Sequence, residues 1–356
     1  MVLRQPGTIA RSSSAILASR YRAVREATLG LADLLAVEDQ VVQPSEEASP
    51  TKWHLGHTTW FFERFVLAAE RPGYEAVDDR YERIFNSYYH TIGPMHPRAA
   101  RGILSRPTVA QIHDYRSRID DALVDLLESR PDDAELADLV ELGLNHEEQH
   151  QELLLTDAKQ VLFASPLDVA YCATAAAPRA RHSAPLEFRF EPAGFAEIGA
   201  DAAGFAFDNE RPRHRTWLEA HLLANRLVTN AEYREFIRDG GYSTPDLWLA
   251  DAWTTVRERD WQRPLCWSAD LEREYTLGGW RPLDSHAPVC HVSFYEAAAF
   301  AAWSGARLPT EAEWENAAQR ATPVDGNFRD TGWLHPAAAS PDGRNRRLLQ
   351  IGRAHV

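Results

Sequence analysis

Two histidines four residues apart, His146 and His150, have the spacing in this sequence that most directly suggests chemistry. They lie in a stretch predicted to be helical, and residues i and i+4 of a helix share one face, with Cβ atoms about 5–6 Å apart. Neutral imidazoles so placed can converge on one zinc, copper, iron or nickel ion. Histidine pairs also occur at this spacing without a metal, so the pair alone leaves both interpretations open.

The same segment matches H-E-x-x-H, a pattern in which Glu147 would be the general base of a zinc protease. The extended metzincin form requires a glycine and a third histidine downstream, where this chain has Leu153 and Thr156. That form is therefore excluded. A protease with a third ligand from a later glutamate stays open as an alternative.

A second histidine pair, His54 and His57, lies in another stretch with helical periodicity. Residues three apart on a helix differ by about 60° in direction, so we expect only one of the two to point at the axis of a bundle. Gly56 lies between them and costs a helix about 1 kcal/mol relative to alanine. Close approach of another backbone or a ligand would explain why a glycine is tolerated there.

The elements that would position these histidines are four predicted helices. Apolar residues recur at helical spacing over 12–37, 51–69, 108–128 and 133–162. The Pro- and Gly-rich connection 71–107 is too long for a simple turn, so we expect it to be functional. We predict a four-helix bundle, an architecture in which facing side chains commonly build metal sites.

The second half of the chain has a different composition. Residues 165–186 are Ala-rich with no clear period and are predicted to be a linker. From 187 onward, short β-like runs such as 188–190 alternate with loops and with two helical patches, 230–238 and 293–303. This pattern predicts a loop-rich α+β domain.

Composition narrows the class of function. The formal net charge is −14, with 52 acidic and 38 basic residues, which disfavours nucleic acids and anionic membrane surfaces as partners. No apolar run approaches the eighteen residues of a membrane span. The three cysteines are widely spaced and suggest neither a disulfide framework nor a cysteine zinc site, so we expect a cytoplasmic protein.

Motifs in both halves resemble the sulfoxide synthases of ergothioneine biosynthesis. They are SPTKWHLGHTTWFFE (49–63), FNSYY (85–89), HEEQH (146–150), FDNERPRH (207–214), PVCHVS (288–293) and RLPTEAEWE (307–315). The resemblance implies a multidomain α and α+β protein. A DinB-like four-helix iron-binding domain at 12–164 would precede a linker at 165–186 and a C-type-lectin-like domain of the formylglycine-generating-enzyme (sulfatase-modifying factor) type at 187–350.

The resemblance also implies a metal and its ligands. In this family three histidines hold a mononuclear non-haem Fe(II), and they match His57, His146 and His150, with His54 as an alternative to the first. Three histidines leave about three octahedral positions open for a thiolate and O₂.

Further site residues follow from the same resemblance. Tyr88 and Tyr89 match a tyrosine pair near the iron that can donate a proton to reduced oxygen, although they could instead anchor their loop. Gln149 matches a glutamine that binds the imidazole of hercynine. Arg98 and Arg101 could clamp a substrate carboxylate or could be solvated.

The implied reaction joins a cysteine-type thiol, cysteine or γ-glutamylcysteine, to C2 of the hercynine imidazole and oxidises the sulfur with O₂. The alternatives are a selenoneine synthase that uses a selenosugar, or a DinB-type metal-binding protein or thiol transferase without oxygenase activity. Oligomeric state is left open. The cysteines do not match a formylglycine-forming pair, so sulfatase activation is not expected.

The end of the chain departs from the family pattern. After Gln350 the family continues into a Tyr-Gly-x-Val-Trp-Glu-Trp-Thr segment, whereas this chain ends in 351–356, which resembles a translated sequencing adapter. The expectation is therefore an incomplete second domain followed by a non-native tail.

Overall fold

The computed structural model describes residues 14–87, 93–175, 179, 182–319 and 326–339. The described residues divide into two compact units. The first comprises those up to Tyr171 together with Asp201–Arg211, and the second comprises Cys172–Ala200 and those from Pro212 onward.

The first unit is built on four long helices, as predicted. They are α1 (Ser14–Ala32), α2 (Thr51–Phe61), α5 (Val109–Ser129) and α6 (Ala134–Ala164). In the described part of the connection between α2 and α5 lie two short helices, α3 (Ala68–Glu70) and α4 (Arg80–Phe85). Helices α1 and α2 each pack against both α5 and α6.

Local sequence signals set where the long helices begin. Thr108 and Gln111 form a reciprocal capping box at the start of α5, in which each side chain bonds the backbone N–H of the other. Asp133 accepts the N–H of Leu136 at the start of α6. These caps satisfy backbone donors that have no partner within the helix.

A wide π-helical turn, Phe62–Leu67, joins α2 to α3. Its Glu63 is buried and accepts hydrogen bonds from the hydroxyls of Tyr74 and Tyr115. Tyr74 belongs to the connection that follows α3, and Tyr115 belongs to α5. The turn therefore fixes the start of the long connection against the bundle.

Aromatic side chains fill the bundle interior. Trp60, Tyr21, Tyr115 and Phe62 are among its largest fully buried side chains. The rings of Tyr21 and Phe62 meet edge to face at 5.1 Å, which joins α1 to the π-helical turn.

Among its described residues, the second unit combines three antiparallel two-stranded sheets with four short helices, confirming the predicted α+β class. The paired strands are β1 (Phe188–Glu191) with β4 (His221–Ala224), β2 (Gly194–Ile198) with β3 (His214–Leu218), and β5 (Arg273–Thr276) with β6 (Gly279–Pro282). The helices are α7 (Asn230–Arg238), α8 (Ala250–Glu258), α9 (Phe294–Trp303) and α10 (Glu311–Ala318).

The core of this unit is also aromatic. Tyr233, Phe236 and Trp267 are buried in it, with Phe300 and Trp303 packed alongside. Within the described ranges, no helix of either unit has both the length and the apolar character needed to cross a membrane.

The RLPTEAEWE motif forms a local structural cluster in this unit. Arg307 makes two bonds to the carboxylate of Glu313, at 2.6 and 2.7 Å. Glu313 also accepts the backbone N–H of Thr310, the residue that caps α10. The motif therefore holds a helix start together.

Candidate metal centre

Three histidines from two helices meet inside the first unit. His57 comes from α2, and His146 and His150 come from α6. One ring nitrogen from each lies within 4.8 Å of the other two, a grouping that could hold a metal ion. Nε2 of His57 lies 3.2 Å from Nε2 of His146.

The ring of His57 is oriented by a backbone carbonyl. Its Nδ1 lies 2.6 Å from the carbonyl oxygen of Phe85, at the end of α4. Because a carbonyl only accepts, Nδ1 of His57 must carry the hydrogen, which leaves the lone pair on Nε2. That lone pair is directed at the imidazole of His146.

Burial keeps these imidazole rings in their neutral form. Desolvation, followed by the charge that His146 would carry, holds the pKa of His57 well below its ordinary value. Desolvation lowers the pKa of His146 to about 4, and desolvation with the nearby His57 lowers that of His150. Neutral imidazoles crowded with lone pairs inward repel one another unless a cation lies between them, so these residues fit a metal ion.

His54 belongs to a different set of contacts. Its Nε2 lies 2.9 Å from Oδ2 of Asp157, and its Nδ1 lies 2.9 Å from Nδ1 of His150. Both of its ring nitrogens are therefore engaged, and the three-histidine group does not include it. Of the two alternatives for the ligand on α2, the geometry favours His57.

Trp53 and Arg101 form a stack behind His57. The Trp53 indole is nearly parallel to the His57 ring, with centroids 4.7 Å apart, and the Arg101 guanidinium lies 3.3 Å from the Trp53 ring centroid. Arg101 is only 4% exposed and donates to the hydroxyls of Ser49 and Ser87. The alternative of a solvated Arg101 is wrong, because this arginine packs the wall of the site.

Glu147 points away from the three histidines. It is fully buried, and its carboxylate accepts bonds from Arg25 (2.8 Å), Thr28 (2.6 Å) and Arg116. Burial alone would raise the pKa of Glu147, but Arg116 and Arg25 lower it to about 2. A carboxylate occupied in this way cannot act as a general base for a metal-bound water, so the zinc protease alternative is wrong.

Of the remaining predicted site residues, the structure describes the glutamine but not the two tyrosines. Gln149 is half-buried on α6, directly before His150. Tyr88 and Tyr89 lie outside the described residues. The structure thus brings together the three predicted ligands and leaves the substrate-contacting residues as predictions.

Gly56 is explained by the ring of Phe85. A Cβ at this position would lie 2.3 Å from Cε1 of Phe85, whose carbonyl holds His57. We expect Gly56→Ala to destabilise the protein by about 1–3 kcal/mol through overpacking, despite the better helix propensity of alanine. It should also weaken metal binding. Urea unfolding and iron titration measure the two effects.

Gly30 offers a matched control for that substitution. It is also helical, on α1, but a Cβ there would meet nothing within 4 Å. Gly30→Ala should leave metal affinity unchanged and stabilise by up to about 1 kcal/mol. Equal effects of the two substitutions would contradict the role given to the Phe85 ring.

The lowered pKa values predict how stability depends on pH. Below about pH 6.5 an unfolded chain protonates His146, whereas the folded metal-free protein does so only near its pKa of about 4. The stabilising contribution of Glu147 is present above about pH 4.5 and is lost as pH falls towards its pKa of about 2. The free energy of unfolding of the metal-free protein should therefore fall between about pH 6.5 and 4. Urea titrations should show a shallower fall in His146→Ala, and identical profiles would contradict this origin.

Comparisons with known proteins agree with this architecture. Residues 20–154 match the DinB superfamily, and residues 174–352 match the sulfatase-modifying factor enzyme 1-like domain. The chain therefore combines a DinB-type helical domain with a domain of the sulfatase-modifying factor type.

Relatives that match most of the chain narrow the class of protein. Hercynine oxygenase of Mycolicibacterium smegmatis is 32% identical over 346 residues, covering 94% of this chain and 77% of the relative. Hercynine oxygenase of Mycobacterium tuberculosis is 31% identical over 320 residues, covering 89% and 72%. Formylglycine-generating enzyme of Streptomyces coelicolor is 32% identical over 212 residues, covering 53% and 62%. The chain belongs to the hercynine oxygenase family, and it is an oxidoreductase.

Several contacts that shape the site were not predicted from the sequence. Asp157 follows His150 by seven residues, which is two helical turns, so its place on the same face could have been found from spacing. The Phe85 carbonyl and the Arg101 stack had no such signal, because both depend on how the long connection folds back onto α2.

Proposed function

We propose that this enzyme uses iron(II) and O₂ to join a cysteine-type thiol to C2 of the hercynine imidazole and to oxidise the sulfur to a sulfoxide. The observation that carries the proposal is the convergence of His57, His146 and His150 on one point. Hercynine is proposed as the substrate because the relatives that match most of the chain are hercynine oxygenases.

The proposed reaction balances. Hercynine loses the hydrogen on C2, the thiol loses its hydrogen, and one O₂ supplies the sulfoxide oxygen and the oxygen of one water. Forming the carbon–sulfur bond removes two electrons, and oxidising the sulfur removes two more, which together reduce O₂ fully.

The donor set favours a catalytic centre over a structural one. Structural zinc sites are closed by four protein ligands, whereas a site with three protein ligands keeps positions open for reactants. When bound, iron(II) would place a thiolate and O₂ side by side and exchange electrons with them. The histidines would keep that centre fixed, because Phe85, Trp53 and His54 restrain their rings.

Other residues would act on the substrates. Gln149, next to His150 on α6, would hydrogen-bond the hercynine imidazole. Tyr88 and Tyr89 would donate a proton to reduced oxygen, directing the reaction towards the sulfoxide instead of simple thiol oxidation. The reaction would take place in the cytoplasm, consistent with Cys172, Cys266 and Cys290 forming no disulfide in the described structure.

Product analysis tests the proposal. The iron-loaded protein is incubated in air with hercynine and either cysteine or γ-glutamylcysteine, and the products are read by mass spectrometry. We expect a hercynine–thiol conjugate carrying one added oxygen, which should be absent without O₂ and with zinc-loaded protein.

The outcome also separates the alternatives. If a conjugate forms only with a selenosugar, the substrate at this centre is a selenium donor and not a thiol, and the enzyme is a selenoneine synthase. Iron binding without any conjugate from these donors would contradict the proposal and favour a metal-binding protein or thiol transferase.

A further inference from the structure

A buried chain of hydrogen bonds connects the carboxylate of Asp157 to His150, one of the three clustered histidines. Oδ2 of Asp157 lies 2.9 Å from Nε2 of His54, and Nδ1 of His54 lies 2.9 Å from Nδ1 of His150. His54 is 3% exposed, and Asp157 and His150 are each 9% exposed, so water competes little for these bonds.

The carboxylate determines which nitrogens carry hydrogen. An ionised carboxylate only accepts, so the hydrogen of a neutral His54 must lie on Nε2, which leaves Nδ1 as an acceptor. His150 must then donate from its own Nδ1, and its lone pair lies on Nε2. One carboxylate therefore fixes the tautomers of two histidines and selects the nitrogen that His150 can offer to a metal.

The helices provide this alignment. Asp157 and His150 are two turns apart on one face of α6, and His54 precedes His57 by about one turn on α2. Asp157 is itself held in place, because its Oδ2 also accepts the backbone N–H of Ser49 at 2.8 Å. The acceptor behind His150 is thus built into the packing of α2 on α6.

His57 and His150 differ in the acceptors behind them. His57 donates to the neutral carbonyl of Phe85, whereas His150 donates to an imidazole that is backed by a negative charge. A hydrogen bond from the outer nitrogen to such an acceptor raises the basicity of a ligating imidazole. His150 should be the stronger electron donor of the two.

We propose that His54 and Asp157 are positioning residues that act through His150, fixing its Nε2 towards the metal and lowering the reduction potential of bound iron. This inference rests on the proposed function, since it takes the three histidines as iron ligands. It assigns His54 a role distinct from that of a ligand.

Two substitutions of His54 separate this role from simple packing. His54→Phe fills the space but removes both hydrogen bonds, so iron(II) affinity should fall about 10–100-fold and the midpoint potential should rise. His54→Gln keeps an amide oxygen to accept from His150 and an amide N–H to donate to Asp157. The His54→Gln protein should therefore have an iron(II) affinity and a midpoint potential close to those of the wild type.

A third substitution keeps the test decisive if His54→Phe does not fold. Asp157→Asn retains the shape and an acceptor oxygen but removes the charge, so the potential should again rise. Gln151→Leu is the matched control, because Gln151 lies on α6 beside His150 but bonds the Val24 carbonyl and the Thr28 hydroxyl on α1. It should reduce stability without moving the potential.

The measurements are iron(II) titration and redox titration of the iron-loaded full chain, with urea unfolding as the check on stability. If wild-type protein binds no iron, the proposed function fails and this inference fails with it. If wild-type protein binds iron and forms product, but the folded His54→Phe or Asp157→Asn protein keeps the wild-type potential, only the positioning role is overturned.

Discussion

Alanine in place of His146 should leave the bundle folded and abolish both tight iron binding and product formation. His146 is half-buried, and its Nδ1 has no partner within the described residues, so the fold loses little when its ring is removed. The metal would lose one of three protein ligands. Because substituting a residue that merely supports a ligand costs 10–100-fold in affinity or activity, removing the ligand should exceed about 100-fold.

His113→Ala is the matched control for that substitution. His113 is also half-buried on a bundle helix, α5, and its Nε2 likewise has no partner in the described ranges. Iron per protein, measured after loading and desalting, should stay at the wild-type level in His113→Ala and fall to background in His146→Ala. Full iron loading and activity in His146→Ala would contradict the assignment of this histidine as a ligand.

The bundle was predictable wherever a signal lay within one helix. The predicted range 108–128 agrees with α5 at Val109–Ser129, because the capping pair of Thr108 and Gln111 acts locally. The π-helical turn at Phe62–Leu67 could not be predicted in this way. Its stabilising contacts come from Tyr74 and Tyr115, which are distant in sequence.

The site, too, was predictable only where the signal lay within one helix. The spacing of His146 and His150 indicates a shared helix face from the sequence alone, but spacing cannot choose between His54 and His57. The choice of His57 as the ligand depends on two contacts. Asp157 hydrogen-bonds His54, and α4, in the long connection, brings the Phe85 carbonyl to His57. Both partners belong to elements that reach α2 only in the folded chain.

Glutamine in place of Glu147 should produce the largest loss of stability. The carboxylate is fully buried between Arg25 and Arg116, and both guanidiniums are themselves almost completely buried. Glu147→Gln keeps the shape but leaves the buried Arg116 without the carboxylate that it bonds, whereas Arg25 keeps its ion pair with Asp120. Removing one partner of a buried ion pair costs about 3–5 kcal/mol, so the urea midpoint should fall sharply.

Glu148 provides the control, since it is adjacent on the same helix and exposed. Glu148→Gln should change the free energy of unfolding by no more than about 0.5 kcal/mol. In the Glu147→Gln background, Arg116→Met should cost less than it does in wild-type protein, because it then removes an unpaired charge. Equal stabilities for Glu147→Gln and Glu148→Gln would show that the arginine cluster does not depend on Glu147. Together these variants test whether the H-E-x-x-H pattern contains a structural glutamate between two metal ligands. In that arrangement one face of α6 would hold the metal. The adjacent face would carry the charge cluster that holds α1 and α5.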